Sequence, residues 1–309
     1  MLASSANQPR RISVVVAARM PPDTLEQSLQ SLAGQRCSPE TLEVIVADGS
    51  STGSMAAVAA RLLPNARHLW LPGANLPALK GAALRAATAE LVAVLDPSDA
   101  AAPNWASEIL EAFSDDSLCA VGGSVFLAGS KQAGNVAAYL FEYGAFNAPL
   151  AAGPTSGDLP GNNVAYRRSV LLEACADILQ TEGFNKPFFH ERLRALGRQL
   201  VIRPSMRVEH LTHYRLLPFG TRRFHYGRCF GATRVRRAHA GRRALLRAFA
   251  PVVPSLLITR HLLRGLRHAG NRRLLPQAGL ALCGVCAFWG VGEWLGCWFG
   301  AGDSCQELF

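Results

Sequence analysis

The sequence predicts an α/β fold: a doubly wound, mostly parallel sheet followed by C-terminal membrane-associating helices. Three observations carry this expectation. Over the first hundred residues, apolar runs of strand length alternate with segments of helical period, the pattern of β-α units in a parallel sheet. The net charge of +10 is uneven, since residues 1–200 hold 15 Lys and Arg against 18 Asp and Glu, whereas residues 201–309 hold 17 Arg against Glu209, Glu293, Asp303 and Glu307. Finally, AGLALCGVCAFWGVGEWLGCWFGAG, residues 278–302, is apolar over a length that can cross a bilayer and carries one charge, Glu293.

Taken in order, RISVVVAA (11–18) reads as a buried strand, TLEQSLQSLAGQ (24–35) as an amphipathic helix, LEVIVAD (42–48) as a second strand and SMAAVAARLL (54–63) as a second helix. A short strand near 67–71, a helix over 76–89 and the strand opening LVAVLDPSD (91–99) continue the alternation. Residues 103–115 read as a helix, CAVGGSVFLAG (119–129) as a strand, and the Gly, Pro and Asn-rich stretch 151–163 as a loop. Further on, FFHERLRALG is a helix closing on Gly197, QLVIRP returns as a strand, and RVEHLTHYR carries the chain out of the sheet. RALLRAFAPVVPSLLITRHLLRGLRHAG (243–270) interleaves leucines with arginines as an interfacial amphipathic helix broken by Pro251 and Pro254. The expected division is residues 1–215 for the sheet and its site, and 216–309 for the basic and apolar helices.

The N-terminal MLASSANQPRR has no apolar core, so no secretory signal is read there and the globular part is expected in the cytoplasm. Eight scattered cysteines then predict reduced, mostly buried thiols, and Cys283 and Cys286, a CxxC inside an apolar run, lack a second ligand pair for zinc. The basic half meets either nucleic acid or an anionic membrane. The adjoining apolar run and the absence of a recognition helix or RNA-binding motif favour membrane lipids and exclude nucleic acid. The basic residues precede the run and only acids follow it, which predicts that the N-terminal side stays cytoplasmic. A buried helical hairpin is the alternative reading of the run.

Several segments in order, ISVVVAARMPPDTLEQSLQSLAGQ, LEVIVADGSSTG, AELVAVLDPSD, GNNVAYRR, GFNKPFF and RPSMRVEH, together resemble the family 2 glycosyltransferases, which have the nucleotide-sugar-binding GT-A fold. The likeness spans about residues 11–210, and the C-terminal GEWLG run resembles the membrane-associating tails of bacterial members that build cell-surface glycans. It implies a nucleotide diphosphate sugar donor, a glycan or lipid-linked acceptor, and inverting transfer at the cytoplasmic face of the cell membrane. A catalytically degenerate homologue, binding nucleotide sugar or a partner enzyme without turnover, is the alternative.

The resemblance assigns roles. Ala17 and Ala18 pass beside the nucleobase, Asp48 accepts hydrogen bonds from base or ribose, Lys80 neutralises the diphosphate, and Asp96 takes the first place of an Asp-x-Asp motif. Helix capping by Asp48 and a solvated Lys80 are the structural alternatives. The second place of the motif is Ser98, so the carboxylate for a divalent cation, Mn2+ or Mg2+, comes one residue late, from Asp99, with His210 as a further metal ligand. The family's Glu-Asp loop after GFNKPFF is shortened, which leaves Glu191, beside His190, as the nearest carboxylate to act as catalytic base. Asn162 and Asn163 match the acceptor-side loop. Arg222, Arg223 and Arg228 resemble a diphosphate-contacting segment, with lipid headgroups as the competing partner.

Overall fold

The computed structural model describes residues 11–308 apart from residues 22 and 212, so the N-terminal segment read above as lacking a signal lies largely outside the described residues. The elements are β1 (Ile12–Ala18), α1 (Leu25–Ala33), β2 (Leu42–Asp48), α2 (Met55–Leu62), β3 (Arg67–Trp70), α3 (Leu76–Ala86), β4 (Leu91–Leu95), β5 (Asp99–Ala101), α4 (Trp105–Ala112), β6 (Ala120–Leu127), α5 (Ala133–Tyr143), β7 (Gly153–Thr155), β8 (Asn163–Arg167), α6 (Arg168–Thr181), α7 (Lys186–Ala195), β9 (Leu200–His210), α8 (Leu216–Arg237), α9 (Ala240–Phe249), α10 (Val253–Arg267), α11 (Ala269–Arg272) and α12 (Leu275–Phe299). The chain divides into two compact units, one running to Phe126 and resuming over Leu150–His210, the other comprising Leu127–Pro149 and Leu211–Phe309.

The strands form one nine-stranded sheet in the order β3-β2-β1-β4-β8-β6-β9-β5, with β7 on β9. The α/β alternation of the sequence produces its parallel half, β3-β2-β1-β4, and β8 then joins β4 antiparallel. Every residue of β1 and of β4 is buried, which is why both strands read as unbroken apolar runs rather than as alternating ones. One expectation fails here: RVEH does not leave the sheet but completes the eleven-residue β9, where Asp99 pairs opposite His210. The alternating arginines of β9 hid it, because one of its faces reaches solvent.

Glu43 is a buried carboxylate in β2. Burial alone raises its pKa, but hydrogen bonds from Ser13, the Thr88 amide and hydroxyl, and Arg67 outweigh that penalty and hold it at about 2. Its folded pKa is depressed, so the stabilisation is present above the ordinary glutamate pKa of about 4.3 and is lost as pH falls from there towards about 2. Glu43→Gln is therefore expected to cost about 2 kcal/mol at neutral pH and to flatten the acid limb of the stability curve. Urea titrations of both proteins between neutral and acid pH check this; an unchanged acid limb would count against the assignment.

In the second unit, α12 packs against α8, α10 and α5. A methyl group placed on Gly227 would lie 2.2 Å from the Trp289 carbonyl oxygen, on Gly231 2.3 Å from that of Glu293, on Gly292 2.2 Å from that of Phe224, and on Gly296 2.1 Å from that of Arg228. These glycines bring the backbones of α8 and α12 into contact. The expectation that all cysteines are reduced is overturned at one pair: Cys229 in α8 and Cys305 form a disulfide with their Cα atoms 5.0 Å apart. They lie 76 positions apart, so only the docking of α8 beside the C-terminal turn reveals the pair. The expected break between α9 and α10 falls at Pro251 alone, while Pro254 occupies the first turn of α10, where its missing N–H is tolerated.

Candidate functional site

The candidate site lies beyond the carboxyl ends of β1, β2 and β4, where an open parallel sheet presents its ligand crevice. Ala17 and Ala18 close β1 opposite Ala47 and Asp48, and all four are buried or nearly so. After β4 the chain makes a tight turn, Asp96-Pro97-Ser98-Asp99, closed by the Asp99 amide on the Asp96 carbonyl at 2.9 Å. Proline is favoured at the second place of such a turn, and its consequence is to separate the two carboxylates. Asp96 stays half-buried at the strand end and receives Lys80 Nζ at 2.5 Å from the middle of α3. Asp99 instead opens β5.

Asp99 and His210 are both fully buried, with Asp99 Oδ1 2.7 Å from His210 Nδ1 and Asp99 Oδ2 accepting from Asn162 Nδ2 at 3.0 Å. Burial raises the Asp99 pKa and the nearby Asp96 charge adds to this, against the opposing pull of His210 and Asn162. Antiparallel pairing of β5 with β9 is what joins two residues 111 positions apart. Ser98 stands on the outer corner of the turn and contacts Asp99 Oδ2 only at 3.5 Å, so the late carboxylate and not the serine enters the cluster.

Among the described residues no three His, Cys, Asp or Glu side chains form a metal cage. The Asp99 cluster nevertheless presents one unused oxygen that suits a hard cation, beside a carboxylate and an imidazole that are bonded to each other. Asn162 Oδ1 is buried there without a hydrogen-bond partner among the described residues, and an orphaned carbonyl oxygen beside a carboxylate and an imidazole is a donor set of the right kind.

Other predicted residues are placed differently. Asp48 is buried: its Oδ1 accepts the Ser50 amide at 2.8 Å, and its Oδ2 accepts the Met55 amide at 3.0 Å and faces His68 Nε2 at 3.1 Å. Burial opposes ionisation, yet the bonds from Ser50, Met55 and His68 lower its pKa. Asp48 thus shapes the loop over the strand end and anchors the first turn of α2. Asn163 is also consumed internally, accepting from Trp105 Nε1 at 2.8 Å and donating to the Ser124 and Met206 carbonyls at 3.0 and 2.9 Å. It pins β8 to its neighbours. In the second unit Arg223 is half-buried against Glu142 among Tyr214, Phe219 and Tyr226, Arg228 donates to the Gly300 carbonyl at 3.1 Å, and Arg222 packs over Tyr214.

Glu191 is exposed on α7, while His190 beside it is buried. His190 Nε2 meets the Tyr166 hydroxyl at 2.9 Å and its Nδ1 lies 3.3 Å from Asp158 Oδ1, which Arg194 also contacts. Burial, together with Lys186 and Arg194, lowers the His190 pKa against the opposing pull of Asp158, and the Leu159 amide donates to Nδ1 at 3.4 Å. Asp158, though partly desolvated, is held at about 2 by His190, Lys186 and Arg194. Sequence reasoning missed this cluster. It ties α7 to the loop that leads into Asn162, and the one available signal was an aspartate inside a loop otherwise rich in glycine and proline.

The sequence profile described as glycosyl transferase family 2 matches residues 13–174. Among solved structures, the crystal structure of S. aureus TarS 1-349 is similar at a TM-score of 0.51 with 13% identity, covering 92% of this chain and 90% of that one. At that identity the likeness is one of fold, and it supports a GT-A type sheet. No curated protein matches the chain.

Proposed function

The chain belongs to glycosyl transferase family 2, and on that premise we propose that it is an inverting transferase moving a sugar from a nucleotide diphosphate sugar to a glycan or lipid-linked acceptor in cell-surface polysaccharide synthesis, at the cytoplasmic face of the membrane. The observation that carries the reading is the Lys80–Asp96 pair set beside the buried Asp99–His210–Asn162 cluster at the ends of the parallel strands. The nucleoside lies against Ala17 and Ala18, with the Asp48-anchored loop as its wall and Asp96 accepting ribose hydroxyls. Lys80 takes up charge on the diphosphate.

The acceptor hydroxyl attacks the anomeric carbon from the side opposite the diphosphate. Its proton passes to Glu191, the solvent-facing carboxylate on the helix that borders the acceptor loop, and the nucleoside diphosphate departs towards Lys80. Asp99, His210 and Asn162 Oδ1 would hold a divalent cation, which supplies further charge neutralisation at the departing diphosphate. Membrane association is supported by the concentration of basic residues before α12 and by the apolar composition of α12 itself, which among the described residues is the helix long and apolar enough to cross a bilayer. The degenerate-homologue reading draws on α7 beginning directly at Lys186, with no intervening loop to carry a base.

A hydrolysis screen across nucleotide sugars, with and without Mn2+, tests the proposal: one donor should be turned over, and hydrolysis of none would favour the binder. By calorimetry, Asp96→Ala should weaken binding of that donor's nucleoside diphosphate by about 1–3 kcal/mol through the loss of charged hydrogen bonds. Unchanged affinity would remove Asp96 from the donor site.

A further inference from the structure

The membrane part of the proposed function leaves open which surface meets the lipid, and the second unit holds an answer that the apolar helix by itself does not. Residues 210–292 contain no Asp or Glu, while α9 and α10 together carry Arg242, Arg243, Arg247, Arg260, Arg264 and Arg267. On the same two helices Leu245, Phe249, Leu256, Leu263 and Leu266 are exposed, with Val252 exposed in the turn between them. Phe249 is 63% exposed and Leu245 and Leu256 are each 59% exposed, which water disfavours and an isolated globular unit does not need. In α10, positions 256, 260, 263 and 267 fall on one helical face, so leucine and exposed arginine alternate along a single stripe. Trp298 and Phe299 at the end of α12 extend the patch, since Trp298 Nε1 donates to the Arg247 carbonyl at 3.0 Å and Arg247 Nε donates to the Cys297 carbonyl at 3.2 Å.

The helix with the composition of a span is built for something else. Glu293 is 4% exposed and pairs with Arg234 at 2.5 Å, and Trp289 Nε1 donates to its other oxygen at 3.1 Å. Glycines on both helices fix α12 to α8 by backbone contact, and α8 carries Arg222, Arg223, Arg228, Arg234, Arg236 and Arg237. A bilayer crossing by α12 would have to carry this arginine-rich neighbour into hydrocarbon or break the contact. Of its most apolar window, 44% is buried in protein, with Leu280 the most exposed of its apolar side chains.

We propose that the second unit is a monotopic docking module for an anionic bilayer, in which α9 and α10 lie along the headgroup–acyl boundary, joined by Trp298 and Phe299, and α12 stays docked on α8 without crossing the bilayer. The leucines and Phe249 enter the acyl region, and the flanking guanidinium groups reach phosphate oxygens. The charge supplies the preference for anionic lipid, and the apolar stripe supplies the part of the binding that salt does not screen.

The test uses the full chain and flotation with vesicles of phosphatidylcholine containing about 30% phosphatidylglycerol, against phosphatidylcholine alone, at low and high salt. The wild type should float with the anionic vesicles, and cell membranes carrying it should release it on extraction with alkaline carbonate. The variant Leu245→Ser, Phe249→Ser, Leu256→Ser should lose at least about tenfold in partition at both salts, with nucleoside diphosphate affinity unchanged as evidence of folding. The exposed pair Arg260→Glu, Arg267→Glu should abolish the preference for anionic lipid. Wild-type-like flotation of both variants, or retention of the wild type after carbonate, would overturn the proposal, the latter in favour of a spanning α12. Failure of the wild type to float at all would remove the membrane part of the proposed function with it, while donor hydrolysis, read separately, would leave the transferase reading standing.

Discussion

Asp99→Asn is expected to abolish the Mn2+ dependence of nucleoside diphosphate binding and to lower transfer by about a hundredfold or more, while Ser98→Ala changes both by less than about twofold. The asymmetry follows from the turn after β4. It places Asp99 in β5, facing His210 at 2.7 Å and Asn162 at 3.0 Å, and leaves Ser98 on the corner. Asparagine keeps the shape of the side chain but removes the anion, so a hard cation loses its one carboxylate ligand in the cluster. Asp99 is fully buried, and thermal melting of the variant separates loss of the cation from loss of the fold. Equal sensitivity of the two positions in a folded protein, or sensitivity of neither, would take Asp99 out of the site.

Glu191→Gln should lower turnover by about a hundredfold or more with donor affinity nearly unchanged, as removal of a general base does. The informative comparison is Asp158→Asn. Asp158 is the other carboxylate near the acceptor loop, but with its pKa held at about 2 by His190, Lys186 and Arg194 it is a weak base and a strong structural anchor. Its variant is expected to lower the melting temperature and raise KM for the acceptor more than it lowers kcat, because the loop leading to Asn162 is loosened from α7. A kcat collapse at Asp158 together with full activity at Glu191 would reverse the two roles. Steady-state kinetics on both variants, with donor binding by calorimetry, reads this directly.

Much of the fold was legible because its signals are local. Apolar runs of strand length marked β1, β2 and β4, a 3.6-residue period marked α1 and α2, and their alternation implied the parallel half of the sheet. Where the sheet turns antiparallel, legibility fell. RVEH looked like an exit because β9 shows one face to solvent, and residues 130–150 gave no pattern although they hold α5. The positions of Asp48, Lys80, Asp96 and Asn163 could be proposed from order along the chain, yet most of their partners could not. Asn163 bonds an indole and two carbonyls from other segments, whereas the Asp48 bonds to the Ser50 and Met55 amides are local and match the capping alternative.

The sequence by itself determined the fold class, the family resemblance, the concentration of positive charge in the last third and the displacement of the motif's second carboxylate to position 99. Each of these depends on residue type and on spacing over a few residues. Only the tertiary structure decided that Asp99 meets His210 across 111 positions, that Cys229 bonds Cys305 across 76, and that the most apolar helix is held to an arginine-rich one through glycines on both. Those are long-range contacts, set by strand register and helix docking, and the local pattern that marks an element carries no information about which distant element will cover it.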